Sequence, residues 1–362
     1  MKVVHLIAHM RLGAGRYLAD IARAQQRELG RHVTVAVSDD IDPNWRTDPK
    51  LAAELAAEGI ETLRLGDFFS RGVPALAAAA RNLAPVLSGA VAHCHSAMPA
   101  AAAHMAGARA IVITCHGWSQ TRPEEYDLQD ALAYRLARGV VTSSRFWAAR
   151  LRRDFNVPAV NLIEEGIDLT PFAPLDISAR PHAPLRIVTV CELTHRKGVD
   201  LLIAAMPRVW ERFPETSLNI IGDGDAAADL RARAKPYGAR ITFHGYEKFP
   251  YARLGEFDLF CLPTRSDNFP AAIVEAMLAS LPVVGTAVGA IPDIIGASGC
   301  GAVAAPENPA SLADALMEVI AQGPSRMAAL GAAGARHAHA HYDIRRMVRE
   351  LDAVYRKALD TA

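Results

Sequence analysis

Short runs of β-branched and other apolar residues alternate with longer alanine-rich stretches of helical period along nearly the whole chain. The series begins with Val3 to Ala8, Gly15 to Leu29 and Val33 to Val37. Strand, helix and strand in that order make a right-handed crossover between parallel strands, whose sheet must be covered by helices on both faces. The same pattern predicts strands at Thr62 to Leu65, Val91 to Cys94, Ala110 to Thr114, Val140 to Thr142 and Val160 to Ile163. It then breaks: Asp168 to Pro184 holds four prolines in seventeen residues and has no clear period, as a linker would. A second series follows at Leu185 to Val190, Ser217 to Ile221, Ile241 to Phe243, Leu259 to Leu262, Pro282 to Thr286 and Gly301 to Ala304. The chain is therefore expected to be α/β, with two Rossmann-like, doubly wound domains at 1–168 and 185–341, a linker at 169–184, and a central cleft between them. In doubly wound sheets, ligands sit outside the carboxyl ends of the strands. The last segment, 342–362, reads as one more helix, with Ile344, Met347, Val348, Leu351, Val354 and Tyr355 forming its apolar stripe.

Composition narrows the partners. The 362 residues carry 39 Lys and Arg against 39 Asp and Glu, so no global field draws the chain to nucleic acid, and none is expected. The five cysteines are widely spaced, form no CxxC pair and mostly lie in apolar runs, which reads as reduced, buried thiols without a structural zinc. The opening Met1-Lys-Val-Val-His-Leu-Ile has no secretory character, so a cytoplasmic protein is expected. Asn82 to Ala108 lacks Asp, Glu, Lys and Arg, but prolines, glycines and histidines interrupt it, and it makes a poor membrane span.

The strongest local signal is Pro263 to Met277, following the strand that ends at Leu262. Pro270 is placed to be the first helical residue. The amides of Ala271 and Ala272 then fall in the first turn, open to an anion. Asp267 and Glu275 are eight residues apart, about 12 Å along a helix. That exceeds the separation of paired glycosidase carboxyls, about 5 to 9.5 Å, so each acid would address a different part of a long ligand. The plainer alternative makes Asp267 a turn acid and Glu275 a solvent-facing helix residue. Lys197 before a helix, and Gly222-Asp-Gly224 after a strand, read equally well as a surface cap and a simple turn. His9-Met-Arg-Leu-Gly-Ala-Gly15 opens a helix after the first strand without completing GxGxxG. His116 closes the run Ile111 to Cys115, and His93, His95 and His104 read as packing or turn residues. Between Ala131 and Arg153 stand six arginines with Phe146 and Trp147 among them. They form either a solvated helix face or a basic, aromatic surface for an anionic acceptor or the cytoplasmic leaflet.

In order along the chain, Ile113-Thr-Cys-His-Gly117, Glu165-Gly-Ile-Asp168, Val188 to Gly198, Leu218 to Gly224, Ile241 to Gly245, Ser266-Asp-Asn-Phe-Pro270, Glu275-Ala-Met277 and Leu281 to Thr286 resemble the family 4 retaining glycosyltransferases of the GT-B fold, the glycosyl transferases group 1. The resemblance covers most of the second half and scattered positions of the first. It implies that Lys197 neutralises the donor diphosphate and that Glu275 holds the donor ribose. Asp267 takes the first-acid position near the sugar, where the family usually has Glu. Gly222 and Gly224 would form the nucleotide-facing turn, and Asn268, Phe269, Ala271 and Ala272 would join the donor-binding set. Gly13 and Gly15 would lie in the glycine-rich acceptor-side loop, and His116 beside the transferred sugar. Glu192 stands where the family commonly has Arg, so it would turn away or pair with His195 or Arg196, with Arg196 supplying the missing charge. The last helix would cross back onto the first domain.

The function implied is a cytoplasmic retaining glycosyltransferase, peripheral at the inner face of the membrane if the Arg135 to Arg153 region binds lipid. It would move a sugar from a UDP- or GDP-sugar donor to a glycan or lipid-linked acceptor, in polysaccharide or glycolipid assembly. No cofactor and no metal are expected; Asp223-Gly-Asp225 resembles an Asp-x-Asp ligand set only in its letters. The alternatives are a non-catalytic nucleotide-sugar sensor and a GT-B hydrolase or epimerase.

Overall fold

The computed structural model describes residues 1–10, 12–38, 47–117, 123–172 and 184–360. The chain divides into two compact units, Met1–Asp168 with Asp343–Ala362, and Leu169–Tyr342. Most of the stretch read as the linker, 173–183, lies outside the described residues; 169–172 belongs to the second unit.

Unit 1 is a parallel sheet of β1 (Lys2–Ile7), β2 (His32–Val37), β3 (Glu61–Arg64), β4 (Ala90–Cys94), β5 (Ala110–Cys115), β6 (Gly139–Thr142) and β7 (Asn161–Leu162). The strand order is β3-β2-β1-β4-β5-β6-β7. Its connections carry α1 (Leu12–Leu29), α2 (Pro49–Ala57), α3 (Val73–Leu87), α4 (Ala97–Met105), α5 (Glu124–Tyr134) and α6 (Arg145–Asp154). Side-chain alternation explains the nearly unbroken apolar strands. Val4, Leu6, Ala92, Cys94, Ile111 and Ile113 pack into one core. Val3, Val91, Val112 and Val141 pack into another on the opposite face.

Unit 2 is a parallel sheet of β8 (Arg186–Val190), β9 (Ser217–Ile221), β10 (Ile241–Gly245), β11 (Leu259–Leu262), β12 (Val283–Thr286) and β13 (Gly301–Ala304), in the order β10-β9-β8-β11-β12-β13. Its helices are α7 (Val199–Arg212), α8 (Ala227–Ala234), α9 (Ala271–Leu278), α10 (Ile291–Ser298), α11 (Pro309–Ala321) and α12 (Pro324–His341). In both sheets the order reverses next to the first strand, between β1 and β4 and between β8 and β11. A crevice for ligands forms at such points.

The last helix, α13 (Ile344–Asp360), packs in unit 1, burying Ile344, Met347, Val348, Leu351 and Tyr355 against Val3, Ile21, Val91 and Val112. Asp352 fixes it further, accepting from Arg31 Nε and Nη2, both at 2.7 Å. Tyr342, grouped with this segment on sequence grounds, belongs instead to unit 2. It caps α12, and its ring meets Phe269 edge-on with centroids 5.4 Å apart. Pro270 also differs from expectation. With φ −81° and ψ 103° it is the cap residue, and its carbonyl accepts from Ile273 N, so the helix begins at Ala271.

Candidate functional site

Two loops leave neighbouring strands beside the reversal point of the second sheet. The first leaves β8, makes a 3-10 turn at His195–Lys197 and enters α7 through Gly198, whose φ is 68°. A Cβ on Gly198 would lie 2.1 Å from the Pro263 carbonyl oxygen, so the approach of the two loops requires glycine there. The second leaves β11 and runs to the cap of α9. Arg265 N donates to Arg196 O at 2.8 Å, and Thr264 Oγ1 donates within reach of both Arg196 O and Ser266 O.

This pairing of loops sets Lys197 against Asp267. Lys197 Nζ is 2.5 Å from Asp267 Oδ2, and both side chains are largely buried. Arg196 Nη1 lies 3.9 Å from the same oxygen and donates to Ser266 O at 2.9 Å. The lysine and the first acid are thus brought together at the switch point, one turn of chain before the amides of Ala271 and Ala272, which open α9. The first amides of a helix lack partners within it and point along its axis. Glu275 is half-buried on α9, as are Ala271 and Ala272, while the rest of that helix is buried. Phe269 is buried against Tyr342, so its ring serves the unit's packing. Asn268 is also buried, and its carbonyl accepts from Ala290 N. Among the described residues Glu192 forms no ion pair with His195 or Arg196; its carbonyl accepts from Thr194 N.

Gly222 and Gly224 sit where the loops after β8 and β9 touch. Leu193 N donates to Asp223 O, and Ala226 N to Leu193 O, each at 2.9 Å. A Cβ on Gly222, at φ 143°, would come within 1.9 Å of Cys191 O, and one on Gly224 within 2.4 Å of Leu193 O. Loop contact alone therefore explains both glycines.

The sequence reading missed the groups that hold this site. Arg265 makes a bidentate pair with Asp200 at 2.7 and 2.8 Å and donates to His195 O at 2.7 Å, tying the lysine-bearing turn to the β11 loop. That pair holds the Asp200 carboxyl below its ordinary value. Gly289 at φ 55° admits the Asp267 carbonyl, which a Cβ would meet at 2.0 Å. Nothing in the local pattern marks Arg265 or Gly289, since their partners lie on other loops.

In unit 1, Gly13 lies in the first turn of α1, and Gly15 lies under Met10, where a Cβ would be 2.6 Å from its carbonyl carbon. His116 follows β5. Its Nδ1 faces Glu165 Oε1 at 3.7 Å, its Nε2 is 2.9 Å from His95 Nδ1, and the two rings stack with centroids 5.2 Å apart. His93 and His95 are not separate packing residues: with His5 they form a buried polar cluster behind His116. Burial brings His5 down to about 4 and holds His93 and His95 well below the ordinary imidazole value, so all three are neutral.

Around α6, Asp154 pairs with Arg150 and Arg153, Arg152 donates to Val160 O, and Trp147 is buried. Arg135, Arg138, Arg145 and Phe146 are exposed, as are Leu128 and Leu132 on α5. Among the described residues no helix is long and apolar enough to cross a membrane. A cavity of about 330 Å³ in unit 2, lined by Leu185, Phe213, Thr216, Asp258, Pro282 and Met327 among others, opens at the amino ends of the strands, the wrong end for Lys197.

Two doubly wound units, the second with a lysine, an acid and a helix start at its switch point, define a protein of the GT-B fold. The structure of a glycosyltransferase from Rickettsia africae ESF-5 superposes with a TM-score of 0.82 at 17% identity, covering 100% of this chain and 99% of that one. The Glycosyltransferase Family 4 model matches residues 12–171, and the Glycosyl transferases group 1 model matches residues 184–322. The chain belongs to the family 4 glycosyltransferases. A putative colanic acid biosynthesis glycosyltransferase, WcaL, of Escherichia coli K12 is 30% identical over 46% of this chain, which spans 43% of that protein's length. A GDP-mannose-dependent monoacylated alpha-(1-6)-phosphatidylinositol monomannoside mannosyltransferase of Corynebacterium glutamicum is 28% identical over 68% of this chain and 70% of its own.

Proposed function

We propose that this chain transfers a sugar from a nucleoside diphosphate donor to a hydroxyl of a glycan or lipid-linked acceptor, with retention and without a metal ion. The observation that carries this reading is the convergence of Lys197, Asp267 and the start of α9 beside the β8–β11 switch point. As the bond between the anomeric carbon and the diphosphate oxygen breaks, the diphosphate takes the electron pair. Lys197, Arg196 and the amides of Ala271 and Ala272 stabilise that charge. The acceptor oxygen bonds to the same face of the carbon, and its proton passes to the departing phosphate. Glu275 holds the donor ribose, and His116 serves the transferred sugar.

The GDP-mannose-dependent relative supports a nucleotide-sugar donor, and both relatives support a role in polysaccharide or glycolipid assembly. The exposed Arg135, Arg138, Leu128, Leu132 and Phe146 suit peripheral contact with an anionic membrane from the cytoplasmic side. The test is a panel of UDP-, GDP- and ADP-sugars, followed first by thermal stabilisation and then by release of free nucleotide with lipid and glycan acceptors. One donor should both stabilise the chain and turn over with an acceptor. Binding without turnover across the acceptors would instead establish a nucleotide-sugar sensor, and turnover that ignores the acceptor would establish a hydrolase.

A further inference from the structure

Seven side chains of unit 1 are joined end to end by hydrogen bonds. Thr114 Oγ1 meets His93 Nε2 at 2.7 Å, and His93 Nδ1 meets the Tyr355 hydroxyl at 2.7 Å. That hydroxyl accepts from Gln25 Nε2 at 3.0 Å, and Gln25 Oε1 meets His5 Nε2 at 2.8 Å. His5 Nδ1 meets His95 Nε2 at 3.0 Å, and His95 Nδ1 meets His116 Nε2 at 2.9 Å. All but His116 are buried. Every ring nitrogen of His5, His93 and His95 is engaged in the chain.

Gln25, on α1, sets the direction. An amide oxygen only accepts, so His5 carries its proton on Nε2. A neutral imidazole has one donor and one acceptor, so the bare Nδ1 of His5 accepts from His95 Nε2. The bare Nδ1 of His95 accepts in turn from His116 Nε2. On the other side, the amide nitrogen donates to Tyr355, which donates to His93 Nδ1, and His93 Nε2 donates to Thr114. Turning the single amide of Gln25 over would reverse every bond in the series.

We propose that His95, held by His5 and Gln25, is a positioning residue for His116, keeping its Nε2 as a bound N–H and leaving Nδ1 as the one nitrogen that meets substrate. Nδ1 looks onto Glu165 Oε1, which also accepts from Ser143 Oγ at 3.1 Å; the edge of the Tyr17 ring, 5.9 Å from the His116 ring between centroids, closes another side. The Glu165 carboxylate beside Nδ1 only accepts, so this corner suits a donating sugar hydroxyl. This inference rests on the proposed role of His116 in sugar transfer.

The test uses the whole chain with 15N-labelled histidine and long-range proton–nitrogen spectra, which distinguish the two ring nitrogens. His95 and His116 should both show a protonated Nε2, and His95 a bare Nδ1. A protonated Nδ1 on His95, or rapid averaging of its two nitrogens, overturns the inference. Gln25→Leu, two imidazoles removed from His116, should mix the tautomers of His95 and His116 and lower kcat about tenfold or more with donor KM unchanged; mixed tautomers with unchanged kcat overturn the positioning role. If that variant does not fold, the wild-type spectrum still decides. Because the spectrum needs no substrate, failure of the transferase reading would show separately, as absence of turnover in the wild-type chain.

Discussion

The Lys197 ammonium is bound to the Asp267 carboxylate at 2.5 Å, so two residues expected to meet different parts of the donor are partners of each other. A diphosphate reaching Lys197 competes with that carboxylate. Asp267→Asn is therefore expected to bind the free nucleoside diphosphate more tightly, by about tenfold, the order of a charge neighbour removed from a partly screened site. Sugar transfer should fall in the same variant. Titration calorimetry and turnover check the pair of effects, and weaker nucleotide binding would show that Asp267 does not compete.

Arg265 ties the lysine-bearing turn to the β11 loop through Asp200 and His195 O. Arg265→Ala should cost about 1.5 kcal/mol in stability, as for lost hydrogen bonds to charged groups, and raise donor KM more than it lowers kcat. The Asp200 carboxyl, held below its ordinary value chiefly by this bond, contributes stability above the unfolded carboxyl value and loses it as pH falls. The melting difference between wild type and variant should accordingly narrow from neutral to acid pH. A difference that widens would contradict the pairing.

A nearly buried ion pair, Arg31 with Asp352, adds to the apolar stripe in holding the terminal helix. Burial works to raise the Asp352 carboxyl, and the bonds from Arg31 and Arg356 outweigh it, leaving it lowered. Asp352→Asn leaves Arg31 without its counter-charge and should cost about 3 kcal/mol, read by urea unfolding near neutral pH. The deficit should shrink in acid, where the wild-type carboxylate is also protonated. A change within a few tenths of a kcal/mol would mean that the apolar stripe alone holds the helix.

Glu275 on α9 should act on binding. Glu275→Ala is expected to raise donor KM about tenfold while kcat changes little, the pattern of uniform binding lost. An unchanged KM counts against the ribose role.

Strands were legible in the sequence because buried parallel strands must be short and apolar and their helices amphipathic; Ser217–Ile221, Leu259–Leu262 and Gly301–Ala304 match to the residue. Lys197, Asp267 and α9 were legible because they lie in one or two local blocks. The Pro270 boundary was off by one, since a proline serves equally at the cap and in the first turn. The His5, Gln25, His95 and Tyr355 network was not legible. Its members lie on β1, on α1, after β4 and on α13, and they meet only through sheet register, which sets His5 opposite His93, and through the docking of the last helix. A histidine in an apolar strand looks the same whether it packs or relays a hydrogen bond.

The most direct measurement is a crystal structure with the nucleoside diphosphate of the donor that turns over. Its phosphates should lie on the amides of Ala271 and Ala272 with Lys197 Nζ turned from Asp267 to the phosphate oxygens. Phosphates bound elsewhere in unit 2, with the Lys197–Asp267 pair intact, would contradict the account.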